Sequence, residues 1–292
     1  MHHGENDNSR SACGADPRAT TKGFLTIALP APEFVVARSV FELPHLRARS
    51  PEEDDRFITA VRDDFPHVAT RQLLPAGVPM GIPYLALQST ASRLAISAVG
   101  SELETRFYGD YEQDVDRSIE YMSGKILGAL RGWEALETRP SLVGVILTLN
   151  FPFTDEEGDA AHYIAERHLR QQLEPGALQD AVARISVRVD DLYFLTLSLS
   201  NYERREYERP VFPGQQLLQV RPWEGTIDSR GIELTIDINN KLALIDREGD
   251  FTVDSSTVTA ILALMRRVIA TAPEEFVERA ALDVDALAAE EA

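Results

Sequence analysis

The sequence predicts an α+β protein in which antiparallel sheets pack against long amphipathic helices. Three observations support this class. Short segments with apolar residues at every second position follow one another through two-residue turns, which is typical of hairpins. Longer segments have apolar residues at intervals of three and four, which is typical of helices. Strands and helices do not alternate strictly, so a parallel βαβ arrangement is not expected.

The clearest strand and helix lie near the end of the chain. The segment Gly231–Leu244 begins with an alternating run in which Ile232, Leu234, Ile236 and Ile238 share one face. Asn239 and Asn240 then supply turn residues. The next segment, Asp254–Ala270, has apolar residues at helical spacing. We expect this helix to pack across the apolar face of the strand.

The first half of the chain begins with a predicted strand, Glu33–Leu43, that is rich in β-branched and aromatic residues. Ser50, Pro51 and Glu53 form a helix start with a capping box, and Phe65-Pro66 ends that helix. Val68–Pro83 is predicted to be a strand that leads into a loop. A three-stranded meander follows, with strands at Tyr84–Thr90, Arg93–Val99 and Glu102–Tyr108. The long helix Asp110–Leu136 comes after the meander. Gly124, Gly128 and Gly132 form a stripe on that helix, which indicates a close packing contact.

The second half repeats this kind of order. Leu142–Phe153 is apolar on both faces, which is typical of a central strand. A helix over Thr154–Leu173 and a hairpin of Asp180–Val189 with Leu192–Ser200, turning at Asp190-Asp191, are predicted next. Each half places strands before a long helix, which suggests two loosely duplicated halves. We therefore expect a disordered segment at 1–30, halves at 31–153 and 154–280, and an acidic tail at 281–292.

Composition limits the environment and the partners. The net charge is −18, and residues 151–292 carry 27 acidic and 14 basic groups against 20 and 15 in residues 1–150. Such a surface repels phosphate backbones, so nonspecific nucleic-acid binding is not expected. No apolar run is long enough to span a bilayer, and the acidic N-terminus does not match a signal peptide, which indicates a cytoplasmic protein. Only three of the 29 basic residues are lysine, a bias that indicates a GC-rich bacterial genome.

The motifs of the common enzyme classes are absent from the sequence. It has no glycine-rich phosphate loop, no G-x-S-x-G elbow, no HExxH and no EF-hand loop. Its single Cys13 excludes a cysteine-based metal site and a disulfide. No cofactor is predicted, although a site assembled from scattered residues stays open.

Three groups of residues are candidates for function. The strongest is a recognition surface of interleaved aromatic and arginine side chains, of the kind that anchors interfaces, formed by Tyr202, Arg204, Arg205, Tyr207, Arg209 and Trp223. Alternation places Tyr202 and Arg204 on one face of an exposed strand. A weaker alternative is a metal site for phosphoryl chemistry made by Asp190, Asp191 and Asp237. The third is a surface pair of His162 and Glu166, with His168 on another face of the helix.

Four segments carry a family resemblance over about residues 30–280. They are PAPEFVVARSVFEL, the Phe65-Pro66 helix end, VGVILTLNF after a long helix, and LTIDIN in a late strand. In these features the chain resembles a sporadically distributed family of bacterial proteins with no assigned function. The resemblance implies a fold and no catalytic residues.

The leading functional hypothesis is a non-enzymatic protein-interaction or regulatory module. Its partner would be a protein, basic if it meets the acidic C-terminal half, or one that binds the YERREYER strand at 202–209. The alternatives are a metal-dependent hydrolase or nuclease and a small-ligand sensor with its pocket between the halves. Exposed antiparallel edges are compatible with a homodimer.

Overall fold

The computed structural model describes residues 29–46, 50–75, 77–154, 159–171, 178–206 and 225–288. The predicted disordered N-terminal segment and the end of the acidic tail lie almost wholly outside these ranges. Three of the predicted binding residues, Tyr207, Arg209 and Trp223, also lie outside the described ranges.

One antiparallel sheet of nine strands organises the described chain, which confirms the α+β class. The strand order is β2-β3-β4-β5-β1-β6-β9-β8-β7. The strands are β1 (Glu33–Glu42), β2 (Thr70–Arg71), β3 (Leu85–Gln88), β4 (Ser92–Ile96), β5 (Gly100–Arg106), β6 (Leu142–Pro152), β7 (Val182–Val189), β8 (Tyr193–Glu206) and β9 (Thr226–Asn239). The predicted meander and the hairpin at Asp190-Asp191 are both present, and the two aspartates have the positive φ angles of a tight hairpin turn.

The helices form a layer against this sheet. They are α1 (Pro51–Ala60), α2 (Asp110–Gln113), α3 (Val115–Ala135), α4 (Ala160–Arg167), α5 (Lys241–Asp246), α6 (Ser255–Ala272) and α7 (Val284–Ala288), with a π-helical turn at Pro273–Glu278. Every second residue of the central strands is buried under this layer, as Leu147 in β6 and Ile236 in β9 illustrate at 0% exposure. The prediction that the apolar side of β9 faces the core is therefore confirmed.

The long helix of the first half is shorter than the sequence predicts. Asp114 has an extended backbone and caps α3 by accepting a hydrogen bond from Arg117 N, so α2 and α3 are separate helices. The predicted glycine stripe is a helix–helix contact. A Cβ on Gly132 would lie 2.5 Å from the ring of Phe57 in α1, and a Cβ on Gly128 would lie 2.5 Å from Asp64. Gly124 has no neighbour of this kind.

Asn240 has a structural role that its turn propensity does not indicate. Its side chain is fully buried, accepts a hydrogen bond from Val143 N at 2.7 Å and donates one to Ser141 O at 3.1 Å. These bonds tie the end of β9 to the start of β6. The residues after Asn240 form the short helix α5 rather than a loop.

One other predicted boundary is wrong. Within the described residues, the helix predicted over Thr154–Leu173 is observed as Ala160–Arg167, where Asp159 caps its first turn. The strand leading into a loop that is predicted for Val68–Pro83 is present as Thr70–Arg71, which is short because this proline- and glycine-rich stretch pairs only briefly with β3.

Candidate functional site

The face of the sheet opposite α3 and α6, here called the open face, carries the strand residues that alternate with the core. Its charged side chains are nearly balanced in sign. They are six arginines and seven acids: Arg38, Arg93, Arg106, Arg184, Arg188 and Arg204, with Glu33, Glu42, Glu102, Glu104, Glu206, Glu233 and Asp237. The net charge of −18 is therefore carried almost entirely by the rest of the chain.

The hairpin of β8 and β9 extends beyond the rest of the sheet. Pairing of β9 with β6 stops at Gly231, whereas pairing of β9 with β8 continues to Thr226. We call this two-stranded extension, residues 202–206 with 226–230, the arm. The predicted exposed continuation of β8 is confirmed for residues 202–206. The ladder shifts register between Arg204 and Arg205, and such irregularities redirect side chains.

The arm and the start of β1 form a concave corner. A pocket of about 240 Å³ is lined by residues of β1, of the segment after β5 and of the arm, including Glu33, Arg38, Arg106, Tyr108 and Arg204. Tyr108 is 60% exposed there. The pocket therefore brings Arg204, a predicted binding residue, together with first-half residues that the sequence analysis did not select.

Ion pairs hold the arginines of this corner in place while leaving them accessible. Glu104 lies 3.3 Å from Arg38 and 2.8 Å from Arg106, and its hydrogen bond from Arg106 lowers the pKa of the carboxyl group. Arg204 donates to Asp228 at 2.6 Å, and this bond raises the pKa of the guanidinium group. The guanidinium side chains of Arg38, Arg106 and Arg204 remain half exposed or more, so they can also contact a bound partner.

The other predicted binding residues in the described chain lie around the same arm. Tyr202 is half-buried, its hydroxyl group is 2.9 Å from Ser229 Oγ, and burial raises the pKa of its phenol. Arg205 bonds Glu203 and the carbonyl oxygen of Gly225, which directs it away from Arg204. Arg204 thus lines the corner pocket, Tyr202 lies on the same face of the arm, and Arg205 braces the arm.

Burial of Glu233 on the open face raises the pKa of its carboxyl group above the usual 4.5, while a hydrogen bond from Ser200 opposes the rise. A raised folded-state pKa gives stability that is fully present below the unfolded pKa and is lost as the pH rises through the folded pKa. We therefore expect Glu233→Gln to raise the melting temperature near neutral pH. In thermal melts the advantage should disappear by about pH 4, where the wild-type carboxyl group is protonated in both states.

The matched control for this change is Glu102→Gln, at an exposed position on the same face of the sheet. It is expected to leave the melting temperature unchanged within about 1 °C at every pH, as is usual for exposed substitutions. A Glu233→Gln variant that is less stable than the wild type at neutral pH would contradict the burial argument.

The structure does not bring the predicted metal-site aspartates together. Asp190 and Asp191 form the tight turn between β7 and β8, and Asp237 lies inside β9 opposite Thr196, where Asn239 donates to it at 3.1 Å. Thr196 is three residue steps along β8 from Tyr193 at the turn, which corresponds to about 10 Å. In the part of the chain described, no group of three or more His, Cys, Asp and Glu side chains is arranged to hold a metal ion.

The histidines of α4 are explained by local packing. His162 pairs with Glu166 at 3.1 Å, as the spacing predicts. His168 lies on another face, with Nε2 at 3.3 Å from Val277 O and its ring against Phe276. Burial lowers the pKa of the His168 imidazole, and its hydrogen bond with Val277 O opposes that shift.

Comparison of the chain with protein-family models and with curated proteins finds no match. Over the described ranges, no helix has both the length and the hydropathy required to cross a membrane.

Proposed function

We propose that this protein is a non-enzymatic interaction module that binds a basic protein partner at the corner between the arm and β1. The observation that carries the proposal is the pocket in which Arg204 of the arm faces Glu33, Arg38 and Tyr108. Tyrosine and arginine are the side chains that most often anchor protein interfaces. The partner is expected to be basic because the net charge of −18 would steer a basic protein toward the molecule.

A comparison of the two halves supports a binding site at the arm, because only the second half has this extension among the described residues. We infer that the halves are related by duplication, since β1 and β6 lie side by side at the centre and the strand order reads outward through β5-β4-β3 on one side and β9-β8-β7 on the other. Gly100 lies opposite Glu42 at the end of β1, and Gly231 lies opposite Pro152 at the end of β6. A Cβ would meet Phe41 O in the first case and Phe151 O in the second.

The equivalence of Gly100 and Gly231 identifies the arm as an addition to the second half. In the first half the chain turns immediately before Gly100, where Ser97 N bonds Gly100 O. In the second half the paired strands continue past Gly231 to Glu206 and Thr226. A feature that the fold does not require is more readily explained by binding than by packing.

A small-ligand sensor is a second candidate, because the pocket joins Arg204 of the second half to residues of the first. Its volume of about 240 Å³ is below the ~300–1,000 Å³ of sites that enclose a drug-sized molecule. A protruding side chain of a protein partner suits that volume better than a separate metabolite.

Site-specific photo-cross-linking in the native host tests the proposal. A photoreactive phenylalanine at Tyr108, which lines the pocket, is expected to form an adduct with a basic protein. The control position is Ile245 in α5, which is similarly exposed at 57% and does not line the pocket. Equal adducts at both positions, or adducts at Ile245 alone, would contradict the proposed surface.

A further inference from the structure

Three polar residues form a row across neighbouring strands beneath the arm. Glu33 of β1 lies opposite Asn150 of β6, and Asn150 lies opposite Glu233 of β9. Directly opposed residues of an antiparallel pair have Cβ atoms about 5 Å apart and share one face. Asn150 therefore has a glutamate directly opposite it on each neighbouring strand.

Asn150 is the central acceptor of this row. It is only 7% exposed although it lies on the open face, and its Oδ1 has no hydrogen-bond partner among the residues that the structure describes. A buried amide oxygen without a partner costs about 1–3 kcal/mol relative to a satisfied one. An acceptor held at that cost between two acids indicates a place for a hydrogen-bond donor that carries positive charge.

The arm closes the row on one side. The Glu33 carboxylate is close enough to contribute to the raised pKa values of both Tyr202 and Arg204, although burial dominates for Tyr202 and the bond to Asp228 dominates for Arg204. Glu33 also lines the corner pocket. Ser200, opposite Glu233, bonds the Glu233 side chain and restricts its position. Glu33 is thus the member of the row that also belongs to the proposed binding corner, and Asn150 and Glu233 lie beside the pocket on the neighbouring strands.

We propose that Glu33, Asn150 and Glu233 form a subsite for a primary ammonium group, supplied by a lysine side chain of the partner. This inference rests on the proposed function and specifies the group that the partner presents. An ammonium group has three N–H donors, which match one acceptor from each of the three residues. A lysine stem is slender and apolar, so it can pass beside Tyr202 while its charged end reaches the row.

The row suits an ammonium group better than a divalent metal ion. It offers two carboxylates and one amide, and calcium normally requires six to eight oxygen ligands. A planar guanidinium group favours two parallel bonds to a single carboxylate, whereas these acceptors lie on three separate strands.

The test titrates the intact protein with pentalysine and follows the Asn150 side-chain amide by ¹⁵N NMR in about 150 mM salt, which screens exposed charges. The Asn150 amide signal is expected to shift and saturate. Pentalysine that is acetylated at its side chains and its N-terminus, which keeps the length and removes every ammonium group, is expected to leave the signal unmoved. No shift with pentalysine would overturn the proposal.

Variants separate this site from general charge attraction. Glu233→Gln is expected to weaken pentalysine binding by about thirtyfold or more, as removal of one partner of a buried charged contact does. Asp237→Asn makes the same charge change four residues further along β9, on the same face of the strand. This variant is expected to change binding by less than about twofold. Equal weakening in the two variants would overturn the proposal. Loss of binding in Glu233→Gln is not attributable to unfolding, since this variant is expected to be the more stable protein.

The pentalysine titration and the cross-linking at Tyr108 test the ammonium subsite and the protein partner separately. Pentalysine binding that depends on Glu233, without an adduct at Tyr108, would retain the ammonium subsite and overturn the protein partner. An adduct at Tyr108 with no response of Asn150 to pentalysine would retain the partner and overturn the subsite.

Discussion

Replacement of Gly231 by alanine is expected to destabilise the protein by more than about 3 kcal/mol, beyond the usual range for overpacking. The added Cβ would lie 2.0 Å from Phe151 O and 3.0 Å from Phe153 N, which are both backbone atoms. Gly231 is paired on both sides, with Pro152 of β6 and Tyr202 of β8, so β9 cannot move away without breaking a ladder. Urea denaturation measures the change.

The matched control is Gly144→Ala in β6. Its Cβ would meet only Asn239 Cβ at 3.4 Å, which is an ordinary contact. We expect a change within about 1 kcal/mol, because β-strands accept alanine where space exists. Similar losses in the two variants would show that the close approach at Gly231 is not what limits the substitution. Gly100→Ala should behave like Gly231→Ala, since its Cβ would lie 1.9 Å from Phe41 O and its φ of +155° is unfavourable for any side chain.

Trp133→Ala is expected to reduce the unfolding free energy by about 3–5 kcal/mol, the usual cost of removing a large buried aromatic ring. Trp133 has 0% exposure and packs edge-on against Phe57 of α1, with ring centroids 5.5 Å apart. Its Nε1 donates to Ser101 Oγ at 3.0 Å, which joins α3 to β5. The substitution therefore removes a contact between two helices and the sheet.

The companion variant Trp133→Phe keeps an aromatic ring and loses the hydrogen bond to Ser101. Its expected loss is about 1–3 kcal/mol, from the unsatisfied hydroxyl group and the smaller ring. The urea denaturation midpoints of both variants show whether Trp133→Ala is the less stable of the two, as expected. A Trp133→Ala variant with less than about half its expected loss would contradict the position of Trp133 at the centre of this core.

Local features of the fold were predictable from sequence because they depend on near neighbours. The Ser50–Glu53 capping box has both of its reciprocal hydrogen bonds, and Asp190-Asp191 forms the turn between β7 and β8. The apolar strand Leu142–Phe153 is central, between β1 and β9. In each case residues within one element carry the whole signal.

The candidate site was only partly predictable because it depends on strand register over long distances in sequence. Tyr202 and Arg204 were predicted from the interleaving of aromatic and arginine residues along one strand. In the structure they share one face of the arm, and Arg204 lines the corner pocket. Glu33, Asn150 and Glu233 come from three strands far apart in the chain, and nothing within any one strand indicates that they align. The same limit applies to Asn240, whose buried bonds to Val143 and Ser141 are invisible in a turn-forming Asn-Asn pair.

The net negative charge of the chain does not lie on the open face of the sheet. The sequence predicts that a basic partner would meet the acidic half, whereas the open face is nearly balanced in charge. In the proposed function, the net charge would attract the partner at long range and the corner would make the specific contact, since steering and recognition need not use the same residues.

The most direct test of the binding corner is the dissociation constant of the partner identified at Tyr108, measured for the wild type, Arg204→Ala and Arg188→Ala. Both variants remove one exposed arginine from the same face of the sheet, and only Arg204 lines the pocket. We expect Arg204→Ala to weaken binding by about tenfold or more and Arg188→Ala to change it by less than about twofold. Equal effects of the two variants would contradict a binding site at the arm.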